Sequence, residues 1–142
     1  DQVVHISMAD PFCEKLRRIL IETAADQGIP HHPTGTVVTI EGPRFSTRAE
    51  SRMFRMWGGD IINMSTVPEA VLAREAGICY AVAAMSTDYD SWHQSEEPVT
   101  WEMIATTMNK NVQNVINIFF HALPRITYKD CECRTAIETA AV

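Results

Sequence analysis

Apolar positions along the chain recur first at helical spacing. Phe12, Leu16, Ile19, Leu20 and Ala24 fall on one face, Asp10-Pro11 supplies an N-cap and a first helical residue, and Gly28 stops the run. The β-branched run Val37–Ile40 predicts a strand that ends at Glu41-Gly42-Pro43. Arg48–Trp57 predicts a helix closed by Gly58-Gly59, and Ile61–Met64 a short strand. Pro68 opens another helix that ends at Gly77. Ile78–Met85 is continuously apolar, the pattern of a strand covered on both faces. A polar loop, Ser86–Pro98, follows. Thr100 then begins a long helix carrying Trp101, Ile104, Met108, Val112, Val115, Phe119 and Leu123, which Pro124 ends. From Thr127 onward the pattern is weak and the tail is expected to fray.

Helices alternating with strands predict an α/β fold with a largely parallel central sheet flanked by helices. About three strands are visible, few for such a sheet. The chain opens on Asp1 rather than Met. The expectation is therefore one partial domain over residues 1–142, the C-terminal part of a larger sheet whose remaining strands lie in an N-terminal half outside this sequence.

Composition narrows the picture without changing it. A chain of 142 residues can bury roughly 70% of its unfolded surface. It is 46% hydrophobic and 21% charged, with a net charge of −6. That balance, and the lack of any Lys/Arg-rich run, argues against a nucleic-acid partner. No apolar stretch approaches the roughly 20 residues of a membrane span. The four cysteines are Cys13, Cys79, Cys131 and Cys133. They contain no CxxC pair and have no histidine at ligand spacing nearby, so they read as reduced thiols and no metal site is expected.

Three polar segments sit where strands are expected to end, the usual place for ligands in α/β proteins. In Glu41–Thr47, Gly42 and Pro43 make a turn, Phe45 offers a flat face to a planar ligand and Arg44 can pair with an acid. Asn63-Met64-Ser65-Thr66 precedes a helix, where hydroxyls and free N–H groups suit an anion or a sugar; on the motif alone, ordinary capping by Ser65 or Thr66 is the simpler reading. Asp88 and Asp90 point to one side if the strand continues, and such a carboxylate can pass a proton to a leaving group. An acidic surface loop has the same spelling.

Together MADPFC (Met8–Cys13), the run from Gly35 to Ala81 and STDYD-W (Ser86–Trp92) resemble the trimeric purine nucleoside phosphorylase superfamily, in its methylthioadenosine-cleaving branch. The resemblance is strong from about Val4 to Trp92, fair to Leu123 and poor beyond. It implies phosphorolysis of S-methyl-5'-thioadenosine to adenine and 5-methylthioribose-1-phosphate, serving purine and methionine salvage in the cytoplasm and also the nucleus. No cofactor is implied; inorganic phosphate is the co-substrate, and the full-length form is a homotrimer.

Carried over by position, the resemblance implies that Phe45 packs on the purine and Met64 lies under the ribose. Ser65 touches phosphate, where many methylthioadenosine enzymes have Thr. Asp88 hydrogen-bonds N7 of the leaving base as the catalytic group, and Asp90 accepts from the 6-amino group. Ile40 is a further substrate-binding position. Trp101 and Ile104 meet the 5' end, where the family usually has smaller aliphatics. Relatives that cleave 6-oxopurine nucleosides carry Asn at the position of Asp88 and Glu at that of Ser46, so both residues match the adenine pattern. Two alternatives stand beside this reading: a 6-oxopurine nucleoside phosphorylase, and a non-catalytic form that associates with full-length subunits. The family's phosphate loop and Arg-His pair fall outside these residues, so little activity is expected of the chain alone.

Overall fold

In the computed structural model the described residues are 3, 5–93, 100–127, 129–138 and 140. The elements run α1 (Glu14–Asp26), β1 (Val37–Thr39), α2 (Arg48–Met56), β2 (Ile61–Asn63), α3 (Thr66–Glu75) and α4 (Trp101–Ala122). Two 3-10 turns follow, Leu123–Arg125 and Glu132–Thr135. The result is a mixed α/β chain with parallel strands. It divides into two compact units, His32–Ser65 with Ala84–Asn117, and Asp1–His31 with Thr66–Ala83 and Ile118–Val142.

The first of these units holds the sheet. β1 and β2 pair in parallel, Val37 opposite Ile61 and Thr39 opposite Asn63. A parallel pair needs a crossover, and α2 supplies it. Its start is fixed by a reciprocal capping box: the Thr47 hydroxyl accepts from the Glu50 N–H, and the Glu50 carboxylate accepts from the Thr47 N–H. Gly58 ends it at φ +83°, a conformation open to glycine. At Gly59 a Cβ would stand 2.7 Å from Val38 Cγ2, so the bare backbone lets the chain turn directly against β1.

The other unit has a core of small side chains: Cys13, Ala24, Ala70, Ala73, Ile118, Ala122, Cys133 and Ala140 are buried. Phe12 stacks on Tyr80 with ring centroids 6.1 Å apart. Arg125 donates to the Thr23 hydroxyl at 2.9 Å and pairs with Asp26, holding the turn after α4 to α1. Among the described residues no helix is long and apolar enough to cross a membrane.

Three expectations are corrected. α1 begins at Glu14 with Cys13 as N-cap, not at Asp10-Pro11; the Cys13 N–H donates to the Tyr80 carbonyl at 2.8 Å, and Cys13 itself is extended, so the helix starts only after it. Ile78–Met85 forms no strand. Among the described residues the sheet has two strands, and Ile78 is 57% exposed, so the run is not covered on both faces. The tail does not simply fray: Cys133 and Ala140 are buried in it. In the loop expected over Ser86–Pro98, residues 94–98 lie outside the described residues.

Candidate active site

Every predicted site residue falls in the sheet-bearing unit. Thr39 donates from its hydroxyl to Asn63 Oδ1 at 2.9 Å, tying the ends of the two strands together. The Ile40 N–H donates to the Asn63 carbonyl at 2.9 Å and carries the pairing one residue further. Beyond it Gly42 meets Met64: a Cβ on Gly42 would stand 2.8 Å from Met64 Sδ. The absence of a side chain at Gly42 is therefore what lets Met64 lie against the turn. The Gly42–Pro43 peptide is cis. Met64 remains 37% exposed, and Ser65 beside it is exposed.

The third segment joins through a side chain. The Ser46 hydroxyl lies 2.9 and 3.1 Å from the two carboxylate oxygens of Asp90, and donates to them. Asp90 Oδ1 also accepts from the Ser91 N–H at 2.8 Å. Asp88 is exposed, and Thr87 Oγ1 donates to its Oδ1 at 2.7 Å. The two carboxylates thus take separate partners. Asn111 on α4 donates to the Ser86 carbonyl at 2.7 Å, fastening this segment to the long helix. On the first turn of that helix Trp101 is 81% exposed and Ile104 half-buried. Phe45 is likewise 81% exposed, an aromatic face turned to solvent. The three predicted segments therefore meet, through Gly42 with Met64 and Ser46 with Asp90. Among the described residues no hydrogen bond, ion pair or ring contact joins Phe45, Trp101 and Asp88 to one another.

Sequence reasoning missed the props of this arrangement. The Ser51 hydroxyl, buried on α2, accepts from the Trp92 N–H at 3.1 Å. The Arg55 guanidinium lies over the Trp92 ring, 3.8 Å from its centroid, an interaction of about 0.5–1 kcal/mol at an exposed site. Tyr89 stacks on His93 at 4.6 Å and meets Trp92 edge-on. These contacts hold residues 89–93 on α2 and so present Asp90 to Ser46. A shallow cleft beside them is lined by Val38, Ser51, Phe54, Arg55, Asp90 and Trp92. The spacing of Ser51 and Arg55, one helical turn apart, was the available signal.

Arg44 finds its acid in Glu50, with a fork of two hydrogen bonds at 2.9 and 2.6 Å. The Arg44 guanidinium first, and then Thr47, holds the Glu50 carboxyl down from 4.5 to about 2. Because the folded pKa lies below the unfolded one, this pair's contribution is complete above the ordinary carboxylate range. It is lost as pH falls through about 2. A carbon-detected NMR titration of Glu50 is expected to show a midpoint near 2, moving only part of the way back toward the ordinary range in Arg44→Ala, where the Thr47 bonds still hold it down. An ordinary midpoint in the unsubstituted chain would contradict the fork.

The family model described as "Phosphorylase superfamily" matches residues 1–124. Among curated proteins, S-methyl-5'-thioadenosine phosphorylase of Danio rerio is 55% identical over 128 residues, 90% of this chain and 46% of its own length. That of Pyrococcus abyssi is 49% identical over 142 residues, 99% of this chain and 54% of its own. The chain thus spans about half the length of the curated relatives it matches. A methylthioadenosine phosphorylase sourced from an Antarctic soil metagenomic library superposes with a TM-score of 0.90 at 41% identity, over 99% of this chain and 50% of that one. Methylthioadenosine phosphorylase from Schistosoma mansoni, in complex with adenine, does so with a TM-score of 0.86 at 38% identity, over 97% and 56%.

Proposed function

The chain belongs to the phosphorylase superfamily, and from that membership we propose that it supplies the adenine and ribose side of the active site in a phosphorylase acting on S-methyl-5'-thioadenosine. The reaction releases adenine and 5-methylthioribose-1-phosphate. Phosphate attacks the anomeric carbon while the purine leaves, through a transition state with oxocarbenium character as in glycoside hydrolysis. The enzyme works in the cytoplasm as a homotrimer, in purine and methionine salvage, with phosphate as co-substrate.

The observation that carries this reading is the Ser46–Asp90 hydrogen bond. A carboxylate has lone pairs to spare after accepting from one hydroxyl. Held by Ser46, Asp90 keeps acceptor capacity for an exocyclic amino group. Opposite a 6-oxopurine it would face the carbonyl, another acceptor. Phe45, exposed on its turn, packs on the purine face, and Met64 supports the ribose. Asp88 hydrogen-bonds N7 as the bond to the base breaks and so meets the charge that develops there. Ser65, ahead of α3, contacts phosphate. Ile40 borders the purine, and Trp101 with Ile104 forms an apolar wall for the methylthio group.

The test is adenine release from methylthioadenosine by the protein that contains this chain at its relatives' full length. Release that depends on added phosphate supports the proposal, and phosphate-independent release or none contradicts it. Phe45→Ala is expected to raise KM about fivefold with little change in kcat, since ring packing worth about 1 kcal/mol acts on substrate and transition state alike. A loss confined to kcat would remove Phe45 from this role.

A further inference from the structure

All four cysteines of the chain converge. Cys13, Cys79, Cys131 and Cys133 belong to the same unit, and their Sγ atoms lie within 4.8 Å of one another. Cys13 Sγ and Cys131 Sγ are 3.5 Å apart. None is in a disulfide. Cys13 and Cys133 are buried, the other two half-buried. The ligands come from three places: the N-cap of α1, the segment after α3, and the 3-10 turn near the C-terminus.

We propose that these four cysteines form a closed tetrahedral site for one zinc(II) ion, which fastens the C-terminal turn to α1 and to the segment after α3. Zinc–thiolate bonds of about 2.3 Å set neighbouring sulfurs about 3.8 Å apart. The four sulfurs, all within 4.8 Å of one another and 3.5 Å apart for Cys13 and Cys131, already lie near that spacing. Cysteines that merely fill a core as small hydrophobes have no cause to gather their sulfurs at one point.

The backbone is shaped for the approach. Gly77, at φ +66°, leads into the Cys79 segment, and a Cβ there would stand 3.2 Å from the Arg134 carbonyl oxygen. A side chain at position 77 would push the turn bearing Cys133 away from Cys79. Cys13 caps α1 without any side-chain capping bond, and a thiolate at a helix N-terminus is favoured by the N–H groups there. Lys15 donates to the Asp130 carbonyl and Arg134 to the Lys129 carbonyl, so two cations flank the ligands in sequence. They suit the charge of −2 on a zinc tetrathiolate.

Binding takes four thiols and one zinc(II) ion to one tetrathiolate complex and four protons. No electron moves and no oxidant is needed. With four protein ligands no position is left for water, so the site is structural rather than catalytic. The proposal does not rest on the phosphorolysis reading.

The test is the metal content of the protein that contains this chain at its relatives' full length, produced under reducing conditions with zinc chloride and measured by plasma mass spectrometry after gel filtration. One zinc per chain is expected, falling at least tenfold in Cys131→Ser and in Cys133→Ser. Should either variant fail to fold, cobalt(II) titration of the unsubstituted chain decides. Thiolate-to-cobalt charge transfer with tetrahedral d–d bands, saturating at one equivalent, supports the site. Weak octahedral absorption overturns it. Zinc far below one equivalent in the folded chain, zinc retained by both serine variants, or stoichiometric iron in its place would overturn it as well.

Discussion

Asp88→Ala is expected to lower kcat for methylthioadenosine phosphorolysis by about a hundredfold or more, with KM changing less than about threefold. The asymmetry follows from where the charge appears. In the bound substrate N7 is a neutral acceptor and a hydrogen bond to it is ordinary. As the bond to the anomeric carbon stretches, electron density flows into the purine and the same contact strengthens. Only an interaction that is stronger in the transition state than in the ground state raises kcat. Removing one hydrogen-bond donor placed at a developing charge typically costs about 10²–10³ in kcat. The position of Asp88 suits such a role, because Thr87 contacts only one of its oxygens and the other can carry a proton to N7 and donate it as the base leaves. Steady-state kinetics of the variant reads both constants. A KM effect larger than the kcat effect would mean that Asp88 binds substrate without assisting departure of the base.

Local chemistry made much of the fold legible. The β-branched run at Val37 and the apolar run at Ile61 gave both strands to within a residue. Thr47-x-x-Glu50 spells the capping box that opens α2, and the period of Trp101, Ile104 and Met108 marks α4. The failures share one cause, dependence on a partner distant in sequence. Ile78–Met85 has the composition of a buried strand, but a strand exists only where another chain segment takes its hydrogen bonds. The start of α1 is set by Tyr80, which no helical period announces. At the site, the residue types were visible and their meeting was not. Ser46 and Asp90 lie 44 residues apart, and nothing in either segment names the other. Their roles came from resemblance, and the structure adds the bond between them. The gathering of the four cysteines was not legible, because three segments far apart in sequence bring them together and spacing rules describe only residues close in sequence.

Substrate choice is the most direct measure of the account. Ser46 holds Asp90, and in the proposed reading Asp90 presents acceptors toward position 6 of the purine. An adenine nucleoside offers an amino donor there and satisfies it. A 6-oxopurine offers a carbonyl, and leaving polar groups unpaired at a closed site costs about 1–3 kcal/mol. That cost corresponds to roughly 5- to 150-fold in kcat/KM, since 1.4 kcal/mol is tenfold. The measurement is the ratio of kcat/KM for methylthioadenosine to that for inosine, with saturating phosphate, in the protein that contains this chain at its relatives' full length. The account predicts a ratio above about ten that shrinks toward one in Asp90→Ala. A ratio at or below one in the unsubstituted enzyme would contradict it and mark the protein as a 6-oxopurine phosphorylase instead.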